Sequence, residues 1–459
     1  MKKLRACAGG ALALAALIGV SACGVGTPSG TSSTTAAQVP ELAAGQQVSI
    51  VFESYNFGLA GAWTDTFNTL ISEFQKQYPN IKVTPQKPQG SDPNPAHNAA
   101  PSVQTETAAG NAPDVAQLGF DTLSYAAQSL GAQPLTDLFG KTELDNQFGG
   151  QYPYAAPIRT IGDVDGKTYG VPFVLSTPVL YYNAALFQAA GLDPANPPKT
   201  WADVQAAGAK IKQATGKDGA YVDCLTKSAS DWCFQSLVRS NGGRVLSQDG
   251  KTLTYADPAA VQTVKTMQDM VTANAMPKLA QLQAVQAFQR GDLGMMVESS
   301  SQQSTFQKGA QSGKWDLKAA PLPGFGTQQA VPTNSGAALF VFSKDPAKQR
   351  AAWDLIKFLT SAAAYDTITS KIGYLPLRLD LLKDPAHLQT WAAQNPLIQP
   401  NVDQLARVEP WVAFPGNNFQ QVRDSMMDGV EKSVFQGADP QAALTASEQQ
   451  SAPLMPAGK

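Results

Sequence analysis

The sequence predicts an α/β fold divided into two lobes, and three observations carry that prediction. Segments of strand character alternate with segments of helical period through the first part of the chain. The alternation restarts after a middle section, near Pro198. No internal repeat of short period is present, which excludes a solenoid. Alternating strands and helices imply a mostly parallel sheet covered by helices. Two such units joined by several crossovers suit 459 residues better than one very wide sheet.

The first unit opens with the strand VSIVFESY. In the next helix Phe67, Leu70, Ile71, Phe74 and Tyr78 recur at three and four residues, one buried face at the helical period. Thr64 or Asp65 can cap it, and Pro79 with Asn80 stops it. IKVTPQK is the second strand. GSDPNPAHNAAPS reads as an exposed loop, rich in breakers. A helix from about Val103 runs to Gly110, and DVAQLG is a buried strand. After the restart, Pro198 and Trp201 open a helix through about Lys212, and Val261, Val264, Met267, Met270 and Val271 mark another. DLGMMVE and AALFVFS are strands with apolar cores. Trp353, Ile356 and Leu359 share one side of a helix that begins near Pro346.

The start of the chain reads as an address. Lys2, Lys3 and Arg5 precede a short apolar run from Ala11 to Val20, and Val20, Ser21, Ala22 and Cys23 form a lipobox. A membrane span needs about 20 apolar residues, and this run has about half that. Residues 1–22 are therefore expected to be a lipoprotein signal, and Cys23 the lipidated residue. About two acyl chains hold such a protein at a membrane surface. Residues 23–46, small and polar, are expected to be a flexible tether. Its GVGTPSG lacks a preceding strand, a following helix and the right glycine spacing for a nucleotide loop.

The net charge is −2, more negative once the three signal cations are removed, and no basic run exists, which argues against nucleic acid. Of 4 cysteines, Cys7 leaves with the signal and Cys23 takes the lipid. Cys224 and Cys233 remain in an oxidising compartment and are expected to form a disulfide. Neither His97 nor His387 has ligand spacing around it, so no metal is expected; both read as solvated surface residues. No nucleophile elbow, zinc-protease helix or Walker loop is present. No cofactor is implied.

Five stretches then resemble the family 1 extracellular solute-binding proteins of ABC importers, with the glycerol-3-phosphate-binding branch nearest. They are STPVLYYNAALFQAAGLDPANPPKTWADV (Ser176 to Val204), AFQRGDLGMMVESS (Ala287 to Ser300) and IGYLPLR (Ile372 to Arg378), with weaker matches at Ala109 to Val115 and Asn334 to Phe342. The resemblance implies a periplasmic-binding-protein-like fold with a ligand cleft between the lobes. Its expected divisions are residues 47–160 with part of about 297–345, and residues 161–296 with 346–459. It implies a monomer that passes a small polar solute, a carbohydrate or a polyol phosphate, to permease subunits.

Each stretch also has a physical reading. Ser176 and Thr177 stand where the chain would cross between lobes, either as ligand hydroxyls or as turn caps. Of Tyr181 and Tyr182, at most one can face the cleft. Ser299, Ser300 and Ser301 lead into a helix, as anion contacts or as N-caps. Gly336 admits close approach of a ligand or serves a turn. Tyr374 supplies a hydroxyl and an aromatic edge. Trp232 falls near a ligand-stacking tryptophan of the branch, and Trp411 with Phe414 could form a second wall. The branch's acidic residue falls at Phe120 or Asp121, with Phe120 favoured. Its phosphate-gripping arginine, counted back from Arg423, falls at Phe414 or Pro415, and no apolar residue replaces a guanidinium fork. The rival readings are a secreted lipoprotein hydrolase using carboxylates, and a surface lipoprotein that does not transport.

Overall fold

The computed structural model describes residues 38–59, 62–92 and 94–456. The expected signal, Cys23 and the tether up to residue 37 lie outside the described residues.

In chain order the strands are β1 (Val48–Glu53), β2 (Ile81–Gln86), β3 (Val115–Gly119), β4 (Asp163–Val164), β5 (Lys167–Thr168), β6 (Gly170–Ser176), β7 (Pro178–Asn183), β8 (Asp218–Val222), β9 (Leu293–Ser299), β10 (Leu317–Pro321) and β11 (Ser335–Val341). The first lobe's sheet has the order β2-β1-β3-β11-β6, and the second lobe's has β10-β7-β9-β8. β1 is parallel to both its neighbours, whereas β11 is antiparallel to both of its own. β6, β7 and β9 are buried along their whole length, as near-continuous apolar strands covered on both faces must be. Pro85 lies in β2, the edge strand, where its missing N–H costs no ladder bond.

The helix Ala62–Gln77 buries Phe67, Leu70, Ile71 and Phe74. Full burial of each such side chain stabilises by about 1.5–3 kcal/mol. The helix Trp201–Thr215 starts from a capping box between Thr200 and Asp203 and ends at Gly216 in the left-handed region.

Three sequence expectations are corrected. The helix expected near Val103 begins at Pro95, inside the supposed loop. Asn94 caps it by accepting from the Ala96 N–H at 3.1 Å, and proline at the first helical position is pre-organised rather than disruptive. The tether expected to reach residue 46 is docked from Val39 onward. The Val39 N–H donates to the Leu138 carbonyl at 2.8 Å, and Arg350 Nε donates to the Pro40 carbonyl at 3.1 Å. The expected lobe boundaries also shift. β6 belongs to the first sheet although it follows residue 161, and the helix Pro346–Leu359 packs on β1. The helix Phe419–Gln436 does pack in the second lobe, against the helix Pro258–Thr272.

The chain passes between lobes three times: at Thr177 between β6 and β7, between β10 and β11, and between the helices Ala362–Ile372 and Phe419–Gln436. A buried polar knot ties these passages. Thr177 Oγ1 donates to Asn401 Oδ1 at 2.6 Å, and Gln404 Nε2 donates to Thr177 Oγ1 at 2.9 Å and to the Pro178 carbonyl at 2.7 Å. The Leu322 N–H donates to Gln404 Oε1 at 3.2 Å. Such side-chain pairs fix three crossing strands without a continuous sheet.

Candidate functional site

A cavity of about 270 Å³ lies between the two sheets' ends and draws its lining from both lobes. The first lobe supplies Tyr55 after β1, Trp63 at the start of a helix, His97 in the first turn of the helix from Pro95, Asp121 after β3, Gly336 in β11 and Tyr374. The second supplies Asp223 after β8, Trp232, Gln281, Glu298 in β9, Trp411 and Arg423. Ser176, Ser299 and Ser301 line it at the junction.

These side chains are braced from behind. Ser299 Oγ donates to Ser176 Oγ at 2.8 Å and accepts from the Ser301 N–H at 3.2 Å, so one hydroxyl both caps a turn and faces the cavity. Trp411 Nε1 donates to Asp231 Oδ1 at 3.0 Å, and its backbone N–H donates to Asn334 Oδ1 at 2.9 Å. Trp63 and Tyr374 meet edge to face, with ring centroids 5.2 Å apart. Gly336 has φ +117°, and a Cβ there would sit 2.0 Å from the Val174 carbonyl oxygen, so only glycine fits. Cys224 and Cys233 are joined by a disulfide with a Cα separation of 5.5 Å, each one residue beyond a cavity residue, Asp223 and Trp232.

The charge is unevenly placed. Arg423 Nη1 reaches across the lobes to Asp121 Oδ2 at 3.1 Å, and Nη2 holds Asp424 Oδ1 at 3.0 Å. Burial alone would lower the guanidinium's pKa, but the carboxylates of Asp121, Asp231 and Asp424 together raise it. Burial raises the pKa of Asp121, with Arg423 pulling it back. Burial likewise raises Asp231, Asp223 and, well above the usual range, Glu298.

Of the residues singled out from sequence, the structure brings Ser176, Trp232, Ser299, Gly336, Tyr374, Asp121 and Trp411 to this cavity. It does not bring Phe120, Phe414 or Ser300. Phe120 and Phe414 are buried in the apolar core, and Asp121 takes the place favoured for Phe120. Ser300 is fully buried and does not line the cavity. Neither Tyr181 nor Tyr182 faces the cavity: Tyr182 donates to the Pro194 carbonyl at 2.8 Å, and Tyr181 packs on Phe306. His97 is a lining residue rather than a solvated one, and His387 is half-buried, with Nδ1 2.7 Å from Asp366 Oδ2. Sequence reasoning missed Tyr55, Trp63, Asp223, Gln281 and Glu298, and used Arg423 only as an alignment anchor.

Two lobes enclosing a polar, aromatic-walled cavity define the class, and the comparisons agree. A model of the bacterial extracellular solute-binding proteins matches residues 69–397, and the chain belongs to that family. It is 25% identical over 401 residues to the sn-glycerol-3-phosphate-binding periplasmic protein UgpB of Agrobacterium fabrum, covering 84% of this chain and 88% of that one. UgpB of Mycobacterium tuberculosis in complex with glycerophosphocholine superposes with a TM-score of 0.73 at 22% identity, over 87% of this chain and 96% of that one. The cyclic alpha-maltosyl-1,6-maltose binding protein of Arthrobacter globiformis gives 0.74 at 20% identity, over 89% and 99%. The chain is thus an extracellular solute-binding protein of the two-lobed type.

Proposed function

We propose that this protein is the lipid-anchored receptor of an ABC importer, held at the outer face of the cell membrane through Cys23. It captures a carbohydrate or a polyol phosphate of the glycerol-3-phosphate or glycerophosphodiester type. The observation that carries the reading is the cavity itself: Trp63, Trp232, Trp411 and two tyrosines around serine hydroxyls and carboxyl groups. Flat aromatic faces suit the C–H faces of sugars and glycerol. Hydroxyls and carboxylates suit their O–H groups. Ser176, Trp232, Ser299, Gly336, Tyr374, Asp121 and Trp411 are the contacts this reading assigns. Arg423 supplies the guanidinium for a phosphate, on a helix of the second lobe rather than at Phe414 or Pro415.

A solute that touches both walls favours the closed arrangement of the lobes by its differential affinity, about 10⁴-fold for a switch from 1:99 to 99:1. Hinge closure is the ordinary motion of such pairs of lobes, and the permease would read the closed form. Nothing in this scheme requires turnover. The test is isothermal calorimetry on the purified full-length chain with glycerol-3-phosphate, glycerophosphocholine, maltose and maltotriose. Stoichiometric binding of one of them without consumption supports the reading. Hydrolysis of any of them would replace it with the hydrolase.

A further inference from the structure

Two carboxyl groups in the second-lobe wall do something the ligand assignment above does not use. β8 and β9 run parallel with Val222 opposite Val297. The next residues, Asp223 just past β8 and Glu298 still within β9, therefore stand side by side, at a strand spacing of about 4.8 Å. Both line the cavity, and both are buried, with 1% and 5% exposure. Few donors reach them, and the Trp232 side chain adds its pull on Asp223. Gln281 Nε2 donates to Asp223 Oδ2 at 3.1 Å, and the Ser299 N–H donates to Glu298 Oε1 at 2.7 Å. Asp223 Oδ1 is buried with no donor of its own.

The titratable groups facing the pair are Tyr181 beside Glu298, and Tyr221 beside both, with Glu431 beyond Tyr221. None is a cation. Among the described residues no lysine, arginine or histidine acts on either carboxyl. Arg423 is turned toward Asp121 and Asp424 and not toward this pair. Two largely buried carboxyl groups side by side disfavour each other's ionisation, and burial with the neighbouring Asp223 raises Glu298, so a proton stays on the pair.

We propose that Asp223 and Glu298 work as one singly protonated acid pair that receives an uncharged, hydroxyl-bearing part of the solute and turns anionic groups away from this wall. The pair offers what a hydroxyl needs: one acidic O–H to accept from and carboxyl oxygens to donate to, including the buried Asp223 Oδ1. A phosphate placed there would meet the pair's negative charge with no neutralising partner. The solute's hydroxyl end is thereby assigned to the second-lobe wall, and any phosphate to the side of Arg423. This inference rests on the cavity being the solute site.

The experiment has two arms on the full-length protein. Infrared difference spectra at pH 7 between wild type and Glu298→Gln report the proton without any ligand. A protonated-carboxyl band present in the wild type and lost in the variant is expected, and its absence in the wild type overturns the proposal. Should Glu298→Gln not fold, Asp223→Asn serves, by shifting the pH at which the band disappears. The second arm measures the pH profile of binding for maltotriose and glycerophosphocholine. Affinity in the wild type is expected to fall by at least about tenfold across the pH at which the infrared band disappears, with no such step in Glu298→Gln. A band that disappears as pH rises while the wild-type affinity stays unchanged overturns the ligand role alone. A panel in which no probe binds removes the solute-site reading and the ligand role together, while the band still decides whether the proton is there.

Discussion

Among the described residues, two buried acid pairs stand in surroundings that give them different work. In the first lobe Glu53 of β1 faces Glu106 of the helix Pro95–Ala108. Gln86 Nε2 donates to Glu53 Oε2 and Glu106 Oε1, both at 2.7 Å; Gln89 Nε2 donates to Glu106 Oε1 at 2.8 Å, and Ser102 Oγ to Glu53 Oε2 at 3.0 Å. Neither glutamate lines the cavity. Amide donors from β2 and from the adjoining segment close this pair off, and it staples a helix whose first turn carries His97. In the second lobe Asp223 and Glu298 have fewer donors and open onto the cavity. A carboxyl pair held by amides and shut away from the cleft is a fastening; one that lines the cleft is a receptor. Access to the cavity, rather than burial or a full set of donors, separates the two.

The largest expected effect tests that division directly. Glu53→Leu strands the donors of Gln86 and Ser102 and leaves Glu106 without its partner, so denaturation should show a loss of about 2–4 kcal/mol. Solute affinity should change less than twofold. Glu298→Leu should reverse the pattern, with binding lost and stability nearly kept. If both variants lose binding at equal stability, the contrast between fastening and receptor is broken.

Opening the Cys224–Cys233 bond comes next. Paired Cys224→Ser and Cys233→Ser should cost roughly 2–3 kcal/mol for so short a loop, and should weaken binding because Asp223 and Trp232 adjoin the bond. Unchanged affinity would show that strand and helix alone hold the wall.

The pH dependence is smaller and has a fixed sign. Burial first, then Glu106, raises Glu53 from 4.5 to about 7. A carboxyl raised in the folded state stabilises fully below its unfolded pKa and loses that contribution as pH climbs through the folded value. Stability should therefore fall by about 2 kcal/mol between pH 4.5 and 8, and Glu53→Gln should flatten much of that fall. A rise over the same interval would contradict the raised Glu53. The smallest effect is the control: Asp269, in a half-exposed i,i+4 pair with Lys265. Asp269→Ala should shift stability by less than about 0.5 kcal/mol. A larger loss would mean that water does not screen surface carboxylates here as assumed.

Much of the fold was legible because it is written in local periods. The face from Phe67 to Phe74 and the apolar strands β3, β9 and β11 follow from spacing alone. The helix from Pro95 was hidden because proline and asparagine signal both a loop and a helix start, and only the capped geometry distinguishes them. Val39 reads as tether because its anchors, Leu138 and Arg350, are distant in sequence. The site was half legible. Ser176, Ser299, Gly336 and Tyr374 came from stretches that resemble the family. Asp223, Glu298 and Arg423 did not, because a carboxyl pair becomes one only through the register of β8 with β9. Arg423 becomes a cleft cation only when the last long helix is laid across the second lobe. Choosing between Phe120 and Asp121 needed the direction of a turn, which pattern does not supply.

The bond between Cys224 and Cys233 bears on how the two jaws bite. It welds the strand end that carries Asp223 to the helix start that carries Trp232, and both cysteines are fully buried. Force applied by a solute to the indole is thus met by covalent stiffness and not by a sliding helix. With this jaw made rigid at the point of grip, the compliance needed for closing is left to the three passages around Thr177, Leu322 and Asn401. On the proposed function, the work of gripping a solute would then appear as rotation of the lobes, which is the quantity a membrane partner could sense.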